Sequence, residues 1–440
     1  MDERGAFYIE NFGCQMNVHD SEKLAVLLKV HGWRPVTEPE AADVIILNTC
    51  SVREKAEQKV FSRLGRLREI KSQRRRTLFV IAGCMARAWG RSLLKRVPYL
   101  DLVVGPGMLD RIPDYLEQLS RRHRPIVDVR DPLTVFSLPG EWVENPGVHS
   151  AWVTIMEGCD NFCAYCIVPY VRGRERSRAE GEIVAEIETL VTRGVREVTL
   201  LGQNVNSYKG SADGFPGLLK RIHDIEGLMR IRFTTSHPKD MSDELIRTVA
   251  DYPKLCEYMH FPVQSGSSRV LRRMNRGYTR EDYLDRVRRM KELIRGVALS
   301  SDFIVGYPGE TESDHQDSVS LLETVEYDNI FIFHYNVRKG TRAALLPDNV
   351  PQEVKIRRLE DLLQRQRRIS MARNQDLIGE TVEVLVDGPA KRGTELWTGR
   401  NRQNRVVNFT GEALPGRLYD VRIESASPNC LYGSLMHPVD

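Results

Sequence analysis

Three apolar runs near the N-terminus, residues 6–14 (AFYIENFGC), 43–50 (DVIILNTC) and 77–84 (TLFVIAGC), each end on a cysteine. A continuous apolar run bounded by turn residues marks a strand buried on both faces, which is how parallel sheets are built. The segments between them, 20–32 and 54–74, carry helical spacing, and a further helix is expected over 108–119. The pattern is βαβαβ, hence an α/β domain with a doubly wound parallel sheet over residues 1–121. Open sheets of this kind bind ligands outside the carboxyl ends of their strands. Cys14, Cys50 and Cys84 are therefore expected to converge on one crevice. One buried thiol is ordinary, since free Cys is among the most buried residue types. Three at the same structural position point instead to a metal centre with one coordination position left open. His19 offers a fourth ligand, but at a helix start a solvated or capping role is expected of it.

The remaining chain reads as three further parts. Residues 122–144, within a Pro-, Gly- and charge-rich stretch running to 148, are expected to be a linker. Over 145–375 six strand candidates alternate with helical patterns: 151–156, 197–201, 230–235, 257–262, 298–305 and 329–336. Six successive βα units predict a partial (β/α)6 barrel rather than the full eight. A basic helix over 353–375 closes it, and residues 378–440 change to short strands and turns (ETVEVLVDG, RVVNF, RLYDVRIESAS), the pattern of a small β-barrel.

Composition bounds the function classes. The 440 residues are 41% hydrophobic and 28% charged, ordinary for a globular protein, with no apolar run long enough to span a membrane. The first residues, MDERGAFYIE, do not resemble a secretory signal. The net charge of +4 makes nucleic-acid binding a matter of local patches. A cytoplasmic, reducing setting is expected, where clustered cysteines mean metal or redox chemistry rather than crosslinks. Two of the eight, Cys256 and Cys430, have no companion at ligand spacing and are expected to be plain thiols.

The sharpest motif is Cys159-x3-Cys163-x2-Cys166 in GCDNFCAYCIVPYVRG, directly after the first barrel strand. That places it at the carboxyl end of the barrel, where active sites of parallel barrels lie. Three thiolates so close repel unless a metal holds them. A structural zinc site would need a fourth, distant ligand such as His; an Fe4S4 cluster on three cysteines leaves one iron for an exchangeable ligand. The motif in this position resembles the radical S-adenosylmethionine superfamily. That resemblance implies chelation of the open iron by the methionyl group, and electron transfer that yields a 5′-deoxyadenosyl radical. Tyr165 matches the aromatic placed near the adenine, and Ile304 and Gly306 in DFIVGYPGE match the strand that backs it. Asp302 stands where Gly is frequent, and Glu310 falls one place late. Gln203 and Asn204 stand where many members carry Gly-Gly-Glu, and can offer carbonyl oxygens to an ammonium.

The words YIENFGCQMN, ILNTCSVREKAEQKVFSRLGRL, IAGCMAR, RGRERSR, LLGQNVNSY, HFPVQSGSSRVLRRMNRGYTR and DFIVGYPGET resemble, in order and over the whole chain, the methylthiotransferase family. Within it, NTCSVREKAEQKV and VGPGMLDRIPDYL look most like the tRNA 2-methylthio-N6-isopentenyladenosine synthase branch. The resemblance implies two Fe4S4 clusters, one on Cys159, Cys163 and Cys166 and an auxiliary one on Cys14, Cys50 and Cys84 that supplies or carries sulfur. It implies S-adenosylmethionine used twice, as methyl donor and as radical source, no side-chain acid or base as catalyst, and a methylthio product at C2 of N6-isopentenyladenosine beside the anticodon of tRNA.

VDGPAKRGTELWTGRNRQNRVVNF resembles the TRAM domain of RNA-modifying enzymes, and its Lys391, Arg392, Arg400, Arg402 and Arg405 are the expected RNA contacts. The run 74–76 and the helix 353–375 are further basic candidates. A base in a single-stranded loop can be splayed into a barrel mouth, which suits a tRNA substrate. An electron donor such as a flavodoxin or ferredoxin and a sulfur source are the other expected partners of a monomer. Sister specificities, for threonylcarbamoyladenosine in tRNA or an aspartate of a ribosomal protein, use the same reaction. A non-catalytic RNA-binding protein with zinc in both triads is the reading from another class.

Overall fold

The computed structural model describes residues 4–51, 54–122, 124–131, 134–138, 142, 149–391 and 395–439. At the N-terminus β1 (Gly5–Phe12), β2 (Trp33–Pro35), β3 (Val44–Thr49), β4 (Leu78–Gly83), β5 (Leu102–Val104) and β6 (Ile126–Asp128) form one sheet in the order β2-β1-β3-β4-β5-β6. All its pairings are parallel. Every residue of β3 is buried, as an apolar run covered on both faces requires. One apolar layer packs the helices Gln15–Val30 and Ile112–Arg122 against one face; the other packs the helix Glu54–Gln73 on the opposite face. Two expectations are corrected here. The segment expected as a linker contributes β6, whose Val127 pairs with Val103 and completes the sheet. The first helix begins directly after Cys14, five residues earlier than its apolar spacing suggested, because its first two turns bury the polar side chains of Asn17, His19 and Asp20.

The central unit carries six parallel strands in barrel order. They are β7 (Ser150–Thr154), β10 (Glu197–Leu201), β11 (Arg230–Phe233), β12 (Tyr258–His260), β13 (Ala298–Val305) and β14 (Asn329–His334). Between β7 and β10 a short antiparallel pair, β8 (Met156–Glu157) and β9 (Arg176–Ser177), frames the mouth. The strands pair as β7-β10-β11 and β12-β13-β14, and the halves meet at a parallel bridge between Ile231 and Leu255. One continuous apolar core fills the barrel and the space beneath its helices. The helix Gln352–Gln375 lies along β14 and runs into the last unit.

That unit is a closed five-stranded barrel of β15 (Thr381–Pro389), β16 (Trp397–Asn401), β17 (Val406–Thr410), β18 (Leu418–Ala426) and β19 (Cys430–Pro438). Of these, β16 and β19 were not among the strands expected. Their alternation is broken by small and polar residues that close packing demands: a Cβ at Gly433 would stand 2.0 Å from the Arg422 carbonyl oxygen. No helix among the described residues is long and apolar enough to cross a membrane.

The small barrel docks on the amino-end face of the large one. Arg230, fully buried at the start of β11, donates to the Arg400 carbonyl (2.8 Å) and the Glu383 carboxylate (3.1 Å). Arg232 donates to the carbonyls of Asn401 and Arg402, both at 2.8 Å, and to Glu197 at 2.8 Å. From the other side Arg402 grips Glu257 (2.7 Å) and the Leu255 carbonyl (2.8 Å), and Arg405 binds Asp328 and Asn374. Removing the small barrel would break the bonds of Arg230 and Arg232 to its carbonyls and uncover the floor of the large barrel, leaving Glu197 as their partner. Truncation before residue 378 should therefore lower the stability of the remaining chain rather than only weaken RNA binding. Arg402→Ala in the full chain should cost about 2 kcal/mol, the order of a charge-assisted bond network at a half-buried site. Urea unfolding of the variant against the parent is the measurement, and an unchanged midpoint would refute the docking role.

Candidate functional site

The register of the N-terminal sheet brings the first cysteine triad together. Phe12 pairs with Thr49 and Thr49 with Gly83, so the chain leaves β1, β3 and β4 at one level. Gly83 has φ 88°, and a Cβ there would stand 2.5 Å from the Thr49 carbonyl oxygen. Only glycine lets β4 turn at once into the helix that begins with Cys84. Cys14 occupies the position before the first helix, and its thiol donates to Asn17 Oδ1 (3.4 Å). Asn17 in turn donates to Asn48 Oδ1 and the Thr49 carbonyl, both at 3.2 Å, tying the loop after β1 to the end of β3. A hydrogen bond with Cys50, and then the Arg172 cation, hold the Cys14 thiol down at about 5. Burial pushes the Cys84 thiol up, opposed by the same Arg172. The three thiols and one guanidinium thus share a single neighbourhood.

The second triad lies in the loop after β8, at the carboxyl end of the large barrel. Phe162, between Cys159 and Cys163, is held in the left-handed region at φ 46°, with its carbonyl fixed by Asn275 Nδ2 at 3.1 Å. Non-glycine residues in that region are sparse and cluster at functional sites. The Cys166 N–H donates to the Cys163 carbonyl (2.9 Å), closing the turn. Burial, then the neighbouring Cys163, pushes the Cys166 thiol up to about 12. Thiols that oppose one another's ionisation form a donor set that a bound cation stabilises, so the residues fit a metal centre. Among the described residues no group of three His, Cys, Asp or Glu side chains closes around a single metal ion; the thiols are gathered without forming a closed mononuclear site.

Cys163 has two nitrogen donors aimed at its sulfur. Arg276 Nη1 stands 3.3 Å from Sγ, while its Nη2 and Nε are fixed by the Pro262 carbonyl (2.8 Å) and Tyr278 Oη (2.9 Å). His237 Nε2 stands 3.8 Å from the same sulfur. His237 Nδ1 accepts from the Lys239 N–H (3.2 Å), which places the ring proton on Nε2, facing Cys163. Burial, with Arg276 nearby, holds His237 far below its ordinary value and keeps it neutral. Neither residue had been assigned a role from sequence, although Arg276 lies in the word MNRGYTR.

The expected cofactor-binding residues divide. Tyr165 and Ile304 pack against one small cluster of Ala164, Val270, Met274, Tyr307, Tyr335 and Ala343 beside the cysteine loop. The Gly306 N–H is taken by Glu310, which also pairs with Arg358 at 2.8 Å. Gln203 accepts from the Gly158 N–H, next to Cys159, and its amide meets Met16 of the N-terminal unit. Asn204 is buried, with its oxygen on the His237 N–H (3.0 Å) and its amide on Asp240 (2.7 Å). It braces the His237 loop; this corrects the expectation of a carbonyl free for an ammonium.

The expected RNA contacts divide as well. Lys391 and Arg400 are exposed, Arg402 and Arg405 are engaged with the large barrel as described, and Arg392 lies outside the described residues. Cys256 is buried near Arg232, and Cys430 sits at the start of β19 against Ser427 Oγ (3.2 Å).

Both triads meet at one junction. Cys84 packs in an apolar cluster with Ile167 and Val171, the residues that follow Cys166. Around it runs a buried polar network: Arg172 donates to Asp20 (2.9 Å) and Glu157 (3.4 Å), and Arg178 pairs with Glu186 at 2.6 Å. His19 joins this network, with Nδ1 on Thr154 Oγ1 (2.8 Å) and Nε2 3.7 Å from Glu186. It is buried against the barrel, neither solvated nor a cap, because its helix packs on β7.

Comparison with known proteins agrees with this architecture. Residues 6–105 match the uncharacterized protein family UPF0004, residues 153–322 the radical SAM superfamily, and residues 375–436 the TRAM domain. The tRNA-2-methylthio-N(6)-dimethylallyladenosine synthase of Moorella thermoacetica is 46% identical over 98% of this chain and 99% of its own length. That of Geobacter metallireducens is 49% identical over 97% and 98%. The chain belongs to this family. In fold it is similar to the radical S-adenosylmethionine methyltransferase TsrM from Kitasatospora setae, with TM-score 0.58, 14% identity, and coverage of 77% of this chain and 75% of that one. It is also similar to the cobalamin-dependent S-adenosylmethionine radical enzyme OxsB, with TM-score 0.54, 13% identity, and coverage of 82% and 56%.

The family's two larger units are joined here through titratable groups, which makes the joint acid-sensitive. Burial alone would raise the Glu186 carboxyl, but Arg178, His19 and Lys23 outweigh it and hold it at about 2, against an ordinary 4.5. A depressed carboxylate contributes stability above its unfolded value, and that contribution is lost as pH falls from 4.5 through about 2. Glu186→Gln should cost roughly 2–3 kcal/mol at neutral pH and progressively less below about pH 4. Urea midpoints of parent and variant across that range test this; a pH-independent difference would contradict it.

Proposed function

We propose that this chain is a radical S-adenosylmethionine enzyme that inserts a methylthio group at C2 of N6-dimethylallyladenosine, beside the anticodon of tRNA. The observation that carries the reading is the shared neighbour Ile167: it follows Cys166 directly and packs on Cys84, so both thiol sets border one space at the barrel mouth. Cys159, Cys163 and Cys166 are the residues to hold an Fe4S4 cluster, which with S-adenosylmethionine at its open iron supplies one-electron cleavage of the sulfonium. Cys14, Cys50 and Cys84 are the residues to hold a second cluster and to carry the sulfur. An external one-electron donor, such as a flavodoxin or ferredoxin, and a sulfur source complete the cycle.

The chain's own work is binding and positioning. Arg276 and His237 direct N–H groups at Cys163, and such bonds to ligand sulfur tune a cluster's potential. Tyr165 and Ile304 form a wall beside the cysteine loop, suited to the adenosyl group. Gln203 fixes the Gly158 amide and spans to the N-terminal unit. An aromatic C–H at C2 is not acidic enough for a side-chain base, so the reading assigns no residue as acid or base. Of the basic residues expected to contact RNA, Lys391 and Arg400 remain exposed for phosphates.

Anaerobically prepared protein should contain iron and sulfide for two Fe4S4 clusters. Cys163→Ala should lose one of them and all cleavage of S-adenosylmethionine. The triple Ala variant of Cys14, Cys50 and Cys84 should lose the other, still form 5′-deoxyadenosine, and give no methylthio product. Both products are measured in the same reaction. Methylthio product near the parent level in the triple variant would end the sulfur-carrier assignment.

A further inference from the structure

The loop after β14, residues 337–345, presents an unusual surface at the barrel mouth. Leu345 is 86% exposed and Val337 51% exposed, in a chain where large apolar side chains are otherwise mostly covered. They line a shallow pocket of about 390 Å³ whose other walls include Lys339, Thr341 and Arg342. Lys339 and Arg342 are exposed, Arg338 is half-buried, and none of the three takes part in an ion pair among the described residues. Two exposed cations without an ion pair beside an apolar floor describe neither a packed core nor a solvated charged loop.

The loop is built, not slack. Thr341 is buried, and its hydroxyl donates to the Arg338 carbonyl at 2.8 Å. The Ala343 N–H donates to the carbonyl of Ala164, between Cys163 and Tyr165, at 2.8 Å, and Ala343 is fully buried. A Cβ at Gly340 would stand 4.0 Å from Ile167 Cδ1. Ile167 is also the residue that packs on Cys84. The strip is thus fastened to the Cys159–Cys166 loop and adjoins the point where the two triads meet.

We propose that this strip seats the modified nucleotide: Val337 and Leu345 receive the dimethylallyl chain, and Lys339 and Arg342 take the phosphates flanking it. The inference rests on the function proposed above and adds the specificity determinant. The occupant follows from charge and polarity. A polyanion carrying one short branched hydrocarbon matches cations around a small apolar floor. A base seated there would lie beside both sets of thiols. An unprenylated adenosine would leave the apolar floor wet, so the strip discriminates for the prenyl group.

The test uses the full chain and two anticodon stem-loop RNAs that differ only in the dimethylallyl group, with affinities from fluorescence anisotropy. The parent should bind the prenylated RNA about tenfold more tightly, the scale on which a hydrophobic pocket reads a few carbons. Val337→Ser with Leu345→Ser should bring that ratio close to one while leaving affinity for the unprenylated RNA unchanged; both sites are on the surface, so folding is preserved. Lys339→Glu with Arg342→Glu should weaken both RNAs alike and make the log-affinity against log-salt slope shallower by about two. A parent that discriminates and a double Ser variant that discriminates equally well would overturn this assignment and leave the proposed function standing. A parent that binds both RNAs equally, and forms no methylthio product on the prenylated one, would overturn both.

Discussion

The guanidinium of Arg172 is the fixed point around which the molecule is arranged. It is buried between the N-terminal sheet and the barrel mouth, with Asp20 on one side and Glu157 on the other. Such a group is a poor source of net stability, because desolvating the charges offsets most of their attraction. What it contributes is uniqueness: a buried cation tolerates few arrangements, since any other leaves charge unpaired. With Asp20 six residues after Cys14 and Arg172 six residues after Cys166, this ion pair sets the distance between the two cysteine loops. The Arg178–Glu186 pair and His19 extend the same device along the first helix.

At the opposite end of the barrel a second set of arginines does a different job. Arg230 and Arg232 reach out of the barrel floor for backbone carbonyls of the small barrel, and Arg402 and Arg405 reach back. The floor is therefore closed by protein, and access to the core strands is from the carboxyl end, where the cysteines lie. Basic residues that composition alone would give to RNA are in part consumed in this docking. Among the described residues, two exposed cations without an ion pair, Lys339 and Arg342, lie instead on the loop after β14, on the same face as the thiols.

Between these ends the site combines rigidity with polarity. Cys163 is approached by two N–H donors with fixed positions, Arg276 held by the Pro262 carbonyl and the Tyr278 hydroxyl and His237 by the Lys239 N–H. The Phe162 backbone is held in a sparse conformation by Asn275. Preorganisation of this kind keeps donors aimed at a sulfur without rearrangement when a cofactor enters.

The positions of the six cysteines beyond the carboxyl ends of strands, the parallel character of both sheets and the order of the units were legible in sequence because they are local. Apolar runs ending in Cys14, Cys50 and Cys84 state their own strand ends, and Cys159-x3-Cys163-x2-Cys166 states its own loop. Strands β16 and β19 were illegible because close backbone approach, as at Gly433, selects small residues that erase alternation. The short β6 was hidden in a Pro-rich stretch because its partner, β5, is distant in sequence and supplies the pairing. The roles of Arg172, Arg276, His237 and Asn204, the diversion of Arg402 and Arg405 from solvent, and the exposure of Leu345 were decided only by the tertiary structure. Each depends on which groups from elsewhere in the chain surround a side chain, and spacing along the chain carries no record of that.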